Sequence, residues 1–243
     1  MTDNLVPVFD LGGVFVDWNP MYLFRKLFET EEEAQWFQDQ ICTKDCNLEF
    51  DAGEIYAEGI AKLITRYPRY WREIQAYDLR WKETFGDFIH GTIAIHDELV
   101  AADVPTFAIT NFSWEKWVSC LGEWPFLEKF DGVVVSGIER LVKPDTRIFR
   151  LFLDRYSLAA EECVFIDDNE VNVMAARSMG MTALHFTEPD KLRTELAALG
   201  LPVNAVAPKA KPTAKKAKAP VKRKAAAKKT ASKTAAAKKA ARR

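Results

Sequence analysis

A short apolar run leads into an acid and two glycines in Val6-Pro7-Val8-Phe9-Asp10-Leu11-Gly12-Gly13, near the start of a 243-residue chain. Such a run is typical of a strand buried on both faces of a parallel sheet. A carboxylate at its end can act as a nucleophile or a metal ligand, and glycines let backbone N–H groups approach a phosphate. Taken alone, the segment is also compatible with an ordinary turn. We expect a central strand with a polar site at its carboxyl end.

Four further apolar runs alternate with helical patterns. The runs cover residues 106–109, 132–135, 164–166 and 182–186, and the helical patterns lie near 92–102, 114–123, 146–156, 169–179 and 189–199. Strands that alternate with helices predict a parallel sheet covered on both faces. The fold class expected is therefore α/β, with a Rossmann-like core.

The region from residue 20 to residue 89 interrupts this alternation, because it is rich in helix formers and aromatic residues and shows no clear strand. We interpret it as a helical cap inserted after the first strand, above the carboxyl ends of the strands, where ligands bind in open α/β sheets. The expected domains are a core of residues 1–19 and 90–202, a cap of residues 20–89, and a tail of residues 203–243.

The charges of the chain are segregated. Residues 205–243 hold 15 of the 34 basic residues and none of the 35 acidic ones, so 19 basic and 35 acidic residues precede them. This Lys/Ala-rich segment buries too little apolar surface to offset its ordering entropy, and we expect it to be disordered. Three roles stay open: non-specific binding of nucleic acid through phosphates, weak association with the acidic body, or plain solvation.

Composition also narrows the class of protein. The four cysteines show no zinc-type spacing, no run approaches the roughly 20 apolar residues of a membrane span, and no basic leader precedes the first strand. We expect a cytoplasmic protein without membrane partners. The sequence does not indicate an oligomeric state.

Polar residues follow the other strands at the same edge of the predicted sheet. Thr110 and Asn111 end the second run, and Asp167 and Asp168 end the fourth. Lys143 stands just before a predicted helix. Each has a simple alternative, helix capping for the first pair and surface exposure for the lysine. Adjacent acids repel each other unless a cation joins them, so the acidic pair favours a metal site.

In this order and spacing, Asp10, Thr110, Lys143 and the pair Asp167-Asp168 resemble the motifs of the haloacid dehalogenase-like (HAD) hydrolase superfamily over roughly residues 5–200. The predicted insertion is similar in position to the cap domain of that family. The first motif also resembles a bacterial subgroup with Asp-Leu-Gly-Asn-Val, some of whose members are sugar-phosphate phosphatases. This chain has glycine in place of the asparagine of that motif.

The resemblance implies a Mg²⁺-dependent phosphatase in which Asp10 attacks phosphorus and forms an aspartyl-phosphate. Mg²⁺ would be held by Asp10, the backbone carbonyl of Gly12 and Asp168, with Asp167 as a direct or water-mediated ligand. The substrate expected is a small phosphorylated metabolite, with a sugar phosphate as one candidate.

Phosphate binding is the second implied role. Thr110 and the backbone of Asn111, together with Gly12 and Lys143, would hold the phosphate oxygens. Lys143 would also hold Asp10 and offset charge that develops in the transition state.

Gly12 departs from the family pattern, in which an aspartate at this position is the general acid–base. Glycine keeps the carbonyl but loses the acid, so slow turnover is expected. Asp17 is a conceivable substitute, although a solvated surface acid is the simpler interpretation. Two other functions stay open: a metal-independent 2-haloacid dehalogenase, or a weakly active or non-catalytic module that binds nucleic acid through its tail. Trp18 and Asn19 follow the first motif closely, so a substrate-facing role stays open for both beside a structural one.

Overall fold

A computed structural model describes residues 5–204 of the chain. The strands are β1 (Val6–Phe9), β2 (Val16–Trp18), β3 (Phe85–Phe88), β4 (Phe107–Thr110), β5 (Gly132–Val135), β6 (Cys163–Asp167) and β7 (Thr182–His185). The α-helices are α1 (Met21–Phe24), α2 (Glu31–Gln40), α3 (Lys44–Asp51), α4 (Tyr56–Arg66), α5 (Trp71–Leu79), α6 (His90–Ala101), α7 (Trp114–Cys120), α8 (Ser136–Glu139), α9 (Thr146–Tyr156), α10 (Glu170–Ser178) and α11 (Pro189–Ala198). Short 3₁₀ helices cover Pro68–Tyr70, Trp81–Thr84, Pro125–Lys129 and Ala160–Glu162.

Five strands form one parallel sheet in the order β5-β4-β1-β6-β7. Strand β1 is central, and Val8 is in register with Phe107 of β4 on one side and Phe165 of β6 on the other. The chain builds outward from β1 through β4 to β5 and then returns to place β6 beside β1. The carboxyl ends of β4, β1 and β6 therefore meet at the point where the strand order reverses, which is where ligands bind in open α/β sheets.

Helices cover both faces of this sheet, as the sequence predicts. Successive residues of a strand point to opposite faces, and Val8 and Phe9 accordingly belong to different hydrophobic clusters. The cluster of Val8 includes Phe149 of α9 and Val173 of α10. The cluster of Phe9 includes Leu99 of α6 and, from α11, Leu192 and Leu196. The prediction of an α/β fold with a covered parallel sheet is confirmed.

Helices α1–α5, here called the helical insertion, lie between β2 and β3, which pair in antiparallel fashion. Val16 is in register with Phe88 and Trp18 with Phe85. The prediction that residues 20–89 contain no clear strand is wrong at β3. This strand has two exposed central residues and is defined by its pairing with a distant segment, so it lacks the apolar run that marks the buried strands. The division of the chain into core and cap domains stays a prediction.

The last described residues are attached to the core. The backbone N–H of Asn204 donates to Glu98 Oε2 at 2.8 Å, and Arg193 donates to the Asn204 carbonyl at 3.0 Å. Val203 packs against the hydrophobic core. These contacts extend beyond residue 202, the predicted end of the core. The predicted disorder of the tail concerns residues that, from 205 onward, lie outside the described part.

Within residues 5–204, no helix combines the length and the apolar character that a membrane crossing requires. The cytoplasmic location stays a prediction.

Candidate active site

Three strand ends and one loop bring the sequence-predicted site residues together. Asp10 follows β1, Thr110 ends β4 and Asp167 ends β6, and all three side chains are buried. Lys143, in the loop between α8 and α9, is only 2% exposed. Asp168 lies next to Asp167 and is more exposed. Because β1, β4 and β6 are parallel neighbours, these residues share one edge of the sheet.

The three acids form a compact cluster. One oxygen from each of Asp10, Asp167 and Asp168 lies within 4.8 Å of the others. Burial raises the pKa of Asp10 to about 7, and repulsion from Asp167 and Asp168 adds to this effect against the opposing attraction of Lys143. Carboxylate oxygens are the ligands that Mg²⁺ prefers, and a divalent cation would offset the mutual repulsion of the acids. The donor set therefore fits Mg²⁺.

Lys143 is held between two of these carboxylates. Its Nζ lies 2.9 Å from Asp10 Oδ1 and 2.7 Å from Asp167 Oδ2, and its side chain has no exposed surface. Burial by itself would lower the pKa of Lys143, but attraction to Asp10 and Asp167 outweighs burial and raises it. The side chain is therefore a permanent ammonium ion that fixes the position of Asp10.

Asp167 makes its hydrogen bonds inside the protein. Its oxygens accept from the backbone N–H of Asn169 at 2.8 Å, from Asn172 Nδ2 at 3.1 Å and from Lys143 Nζ. These bonds fix its orientation and make Asp10 and Asp168 the acids with more capacity for an ion. His185 Nε2 lies 2.9 Å from the Asp168 carbonyl oxygen and anchors the backbone at that acid.

Asn172, which lies in the first turn of α10, is a site residue that the sequence motifs do not reveal. Its amide nitrogen orients Asp167, whereas its Oδ1 is buried without a hydrogen-bond partner among the described residues. The sequence signal for this role is the position of Asn172 five residues after Asp167. When a helix begins directly after a strand, its first turn lies close to the end of that strand.

Thr110 and Asn111 have different surroundings. Thr110 Oγ1 is buried and has no hydrogen-bond partner in the described structure, which suits an acceptor supplied by a ligand. The Asn111 side chain instead bonds the backbone of Lys143, donating to its carbonyl at 3.0 Å and accepting from its N–H at 2.8 Å. Asn111 thus positions the lysine, and the phosphate contact through the Asn111 backbone stays a prediction.

The loop after β1 is shaped by its two glycines. The Leu11 N–H donates to Asp10 Oδ1 at 2.7 Å and helps to fix the carboxylate. Gly13 has a φ of 72°, and a Cβ on it would lie 2.3 Å from Asp168 Oδ2. A Cβ on Gly12 would meet no atom within 4 Å. Gly13 is therefore required for the close approach of Asp168, whereas the space beside Gly12 is open.

Replacing Gly13 with alanine is expected to weaken Mg²⁺ binding by about 10–100-fold, because the new methyl group displaces the Asp168 carboxylate. Calorimetric titration with Mg²⁺ measures the effect. The matched control is Gly122→Ala, since Gly122 has a similar φ of 78° but no atom within 4 Å of its Cβ position. Equal Mg²⁺ affinities in the two variants would contradict the steric explanation.

A cavity of about 370 Å³ opens onto the acids. Its apolar lining is supplied by Trp18, Leu48, Tyr56, Trp81, Phe85 and Phe112. Its polar lining includes Asp10, Asp168, Lys44, Asn47, Asp51, Asn111, Ser113 and Asn172. Trp18 thus lines the cavity, whereas Asn19 is not part of the lining, and its Oδ1 accepts from the Met21 N–H at 3.0 Å. Asp17 is not part of the lining, and its carboxylate accepts a hydrogen bond from the Tyr22 hydroxyl at 2.5 Å.

Comparisons with known proteins agree with this architecture. A family model described as haloacid dehalogenase-like hydrolase matches residues 8–186. Sesquiterpene phosphatase astK of Aspergillus oryzae is 26% identical over 187 residues, which cover 74% of this chain and 89% of that protein. Acyl-CoA dehydrogenase family member 10 of Mus musculus is 39% identical over 89 residues, which cover 36% of this chain and 8% of that protein.

Two solved structures have the same fold. The HAD family enzyme bt-2542 of Bacteroides thetaiotaomicron, in complex with magnesium and inorganic phosphate, has a TM-score of 0.59 and 21% identity, covering 76% of this chain and 94% of that one. L-2-haloacid dehalogenase of Xanthobacter autotrophicus, with chloropropionic acid covalently bound, has a TM-score of 0.53 and 14% identity, covering 82% and 84%. At these identities the likeness establishes the fold alone.

Proposed function

The chain belongs to the haloacid dehalogenase-like hydrolases, and from this premise we propose that it is a Mg²⁺-dependent phosphatase acting on small phosphate monoesters. The observation that carries the proposal is the convergence of three carboxylates and a buried ammonium at one edge of the sheet. Membership of this family confirms the resemblance at the level of the superfamily, and the resemblance to the sugar-phosphate phosphatase subgroup stays a prediction.

The nucleophile of the proposed reaction is Asp10. The Leu11 N–H and Lys143 Nζ both bond its Oδ1, which holds the carboxylate in one orientation before a substrate arrives. Attack on phosphorus would give an aspartyl-phosphate, and water would then hydrolyse it. Lys143 would offset the charge that develops on the transferring group, and the unpartnered Thr110 hydroxyl would donate to a phosphate oxygen.

Mg²⁺ would be held by Asp10, Asp168 and the backbone carbonyl of Gly12, with Asp167 as an orienting neighbour or a further ligand. When bound, the ion supplies positive charge that lets a phosphate approach a carboxylate. Without it, the negative charges of the acids would act against the anionic substrate.

The lining of the cavity favours a substrate with a compact apolar group. Aromatic side chains such as Trp18, Tyr56 and Phe112 surround the space in front of Asp10. A cavity of about 370 Å³ has the size of a small organic ligand. The named activity of the relative from Aspergillus oryzae, a sesquiterpene phosphatase, also supports an apolar phosphate ester rather than a sugar phosphate.

A release assay with and without Mg²⁺ tests the proposed function. We expect phosphate release from an alkyl or prenyl monophosphate with Mg²⁺ present and release at the background rate in excess chelator, because the acids then lack their counter-charge. A sugar phosphate serves as the comparison substrate. The contrary result is chloride release from a 2-chloroacid in chelator, together with no phosphate release in Mg²⁺. It would show that the chain is a dehalogenase, like the structural relative from Xanthobacter autotrophicus.

Nucleic-acid binding is a separate prediction. It concerns residues 205–243, which lie outside the described part of the chain, and it is compatible with phosphatase activity.

A further inference from the structure

Asp51 is an acid of the cavity to which neither the sequence motifs nor the family resemblance gives a role. It is the last residue of α3 in the helical insertion. Among the described residues, the carboxylates that line the cavity are those of Asp10, Asp51 and Asp168. Asp10 and Asp168 belong to the cluster of the nucleophile and the metal site, so Asp51 is the one of these three acids without an assigned role.

The position of Asp51 is fixed by its surroundings. Asn47 Nδ2 donates to Asp51 Oδ2 at 2.9 Å, and the Ser136 hydroxyl donates to the Asp51 carbonyl at 2.6 Å. The second bond joins the end of α3 to the start of α8, directly beside β5. Asn47 therefore orients the carboxyl from within α3, while the bond from Ser136 fixes the backbone of Asp51 beside the sheet.

The nucleophile loop carries no acid at Gly12, and Asp51 lines the same cavity as Gly12. Among the described residues, no atom lies within 4 Å of a Cβ built on Gly12, so the space beside it is open. We propose that Asp51 is the general acid–base of this phosphatase, supplied from the helical insertion in place of the acid absent at Gly12. This inference rests on the phosphatase function proposed above.

The proposed reaction has two steps, and Asp51 gives up a proton in the first and regains one in the second. Asp10 attacks phosphorus, the ester P–O bond breaks, and the leaving oxygen takes the proton of the Asp51 carboxyl. Water then attacks the phosphorus of the aspartyl-phosphate, the bond to Asp10 breaks, and Asp51 takes the proton that the water loses. The products are an alcohol and inorganic phosphate, and both carboxyls return to their starting state.

The surroundings of Asp51 suit this exchange. Burial raises its pKa to about 7, against the opposing attraction of Lys143. Tyr56 and Tyr77 face it from α4 and α5, and burial raises their pKa values well above the usual range, so both phenols are neutral. A general acid–base works best when its pKa is near the operating pH. Asp51 therefore carries an exchangeable proton near neutral pH.

A comparison of two leaving groups tests the proposal. Wild type and Asp51→Asn are assayed with Mg²⁺ on p-nitrophenyl phosphate, whose leaving group needs no proton, and on an alkyl phosphate, whose leaving group does. We expect kcat/KM of the variant to fall by about 10²–10⁴-fold on the alkyl ester and by less than about tenfold on the aryl ester. The control Asp17→Asn, outside the cavity lining, should retain wild-type rates on both esters.

A measurement on the wild type alone gives a second test. Asp51 must be protonated to act as an acid, so kcat/KM for the alkyl ester falls as pH rises through the Asp51 pKa, whereas kcat/KM for the aryl ester shows no such fall. An equal loss on both esters in Asp51→Asn, no loss on either, or identical pH profiles for the two esters overturns the role of Asp51. Wild type inactive on both esters overturns the proposed function itself.

Discussion

Asp10→Asn is expected to lower phosphatase turnover on the order of 10⁴-fold or more, because an amide cannot replace the carboxylate as a nucleophile. The substitution preserves shape, and it removes an acid whose burial and repulsion from Asp167 and Asp168 outweigh its attraction to Lys143, as its raised pKa shows. We therefore expect the metal-free variant to be at least as stable as wild type at neutral pH. Phosphate release in Mg²⁺ and urea denaturation in chelator measure the two effects.

The control for this variant is Asp145→Asn, at the start of α9. Asp145 caps the helix by accepting from the Arg147 N–H at 2.9 Å, and asparagine caps equally well. Activity should stay close to wild type. Turnover by Asp10→Asn within tenfold of wild type, in a folded protein, would show that Asp10 is not the nucleophile.

Lys143→Met is expected to reduce both activity and stability. Turnover should fall by about 10²–10³-fold, the usual cost of losing one preorganised positive or hydrogen-bonding group at a reaction centre. The free energy of unfolding of the metal-free protein should fall by about 3–5 kcal/mol, because Asp10 and Asp167 lose a fully buried partner. Lys129→Met, which breaks an exposed pair with Asp97, should cost at most about 1 kcal/mol.

The loss of stability in Lys143→Met should depend on pH. Burial already raises the pKa of Asp10 to about 7 in the presence of the lysine, and removing Lys143 raises it further. Between the ordinary pKa of an aspartate and this raised pKa, the folded state binds more protons than the unfolded state. The free energy of unfolding therefore decreases as pH rises from the lower pKa to the higher one. Urea denaturation in chelator at two pH values that bracket the Asp10 pKa measures the slope. A slope no steeper than that of wild type would contradict the predicted charge imbalance.

Much of the core was predictable because each buried strand is marked by a run of apolar residues in its own segment of the sequence. The three inner strands of the parallel sheet are buried along their whole length, so they appear as apolar runs. The observed bounds of all five strands differ from the predicted ones by no more than one residue at either end. Asp10, Thr110 and Asp167 follow parallel neighbours and must therefore share an edge of the sheet. Once β1, β4 and β6 are known to be neighbours, the convergence of these residues follows.

Two features were beyond the sequence because long-range packing determines them. Strand β3 forms by pairing with β2 across the whole helical insertion, and its segment Phe85-Gly86-Asp87-Phe88 carries no buried run. Asp51 ends a helix whose two other acids, Asp45 and Glu49, are exposed. Its place in the cavity depends on how α3 packs beside α8, which no local pattern reports.

The covalent role of Asp10 is tested most directly by trapping the intermediate. Wild-type protein is mixed with Mg²⁺ and an aryl phosphate, quenched in acid during turnover and digested, and its peptides are examined by mass spectrometry. We predict a phosphoryl group on the peptide that contains Asp10, absent from Asp10→Asn. Steady turnover with no phosphorylated peptide, or a phosphoryl group on another residue, would contradict the proposed mechanism.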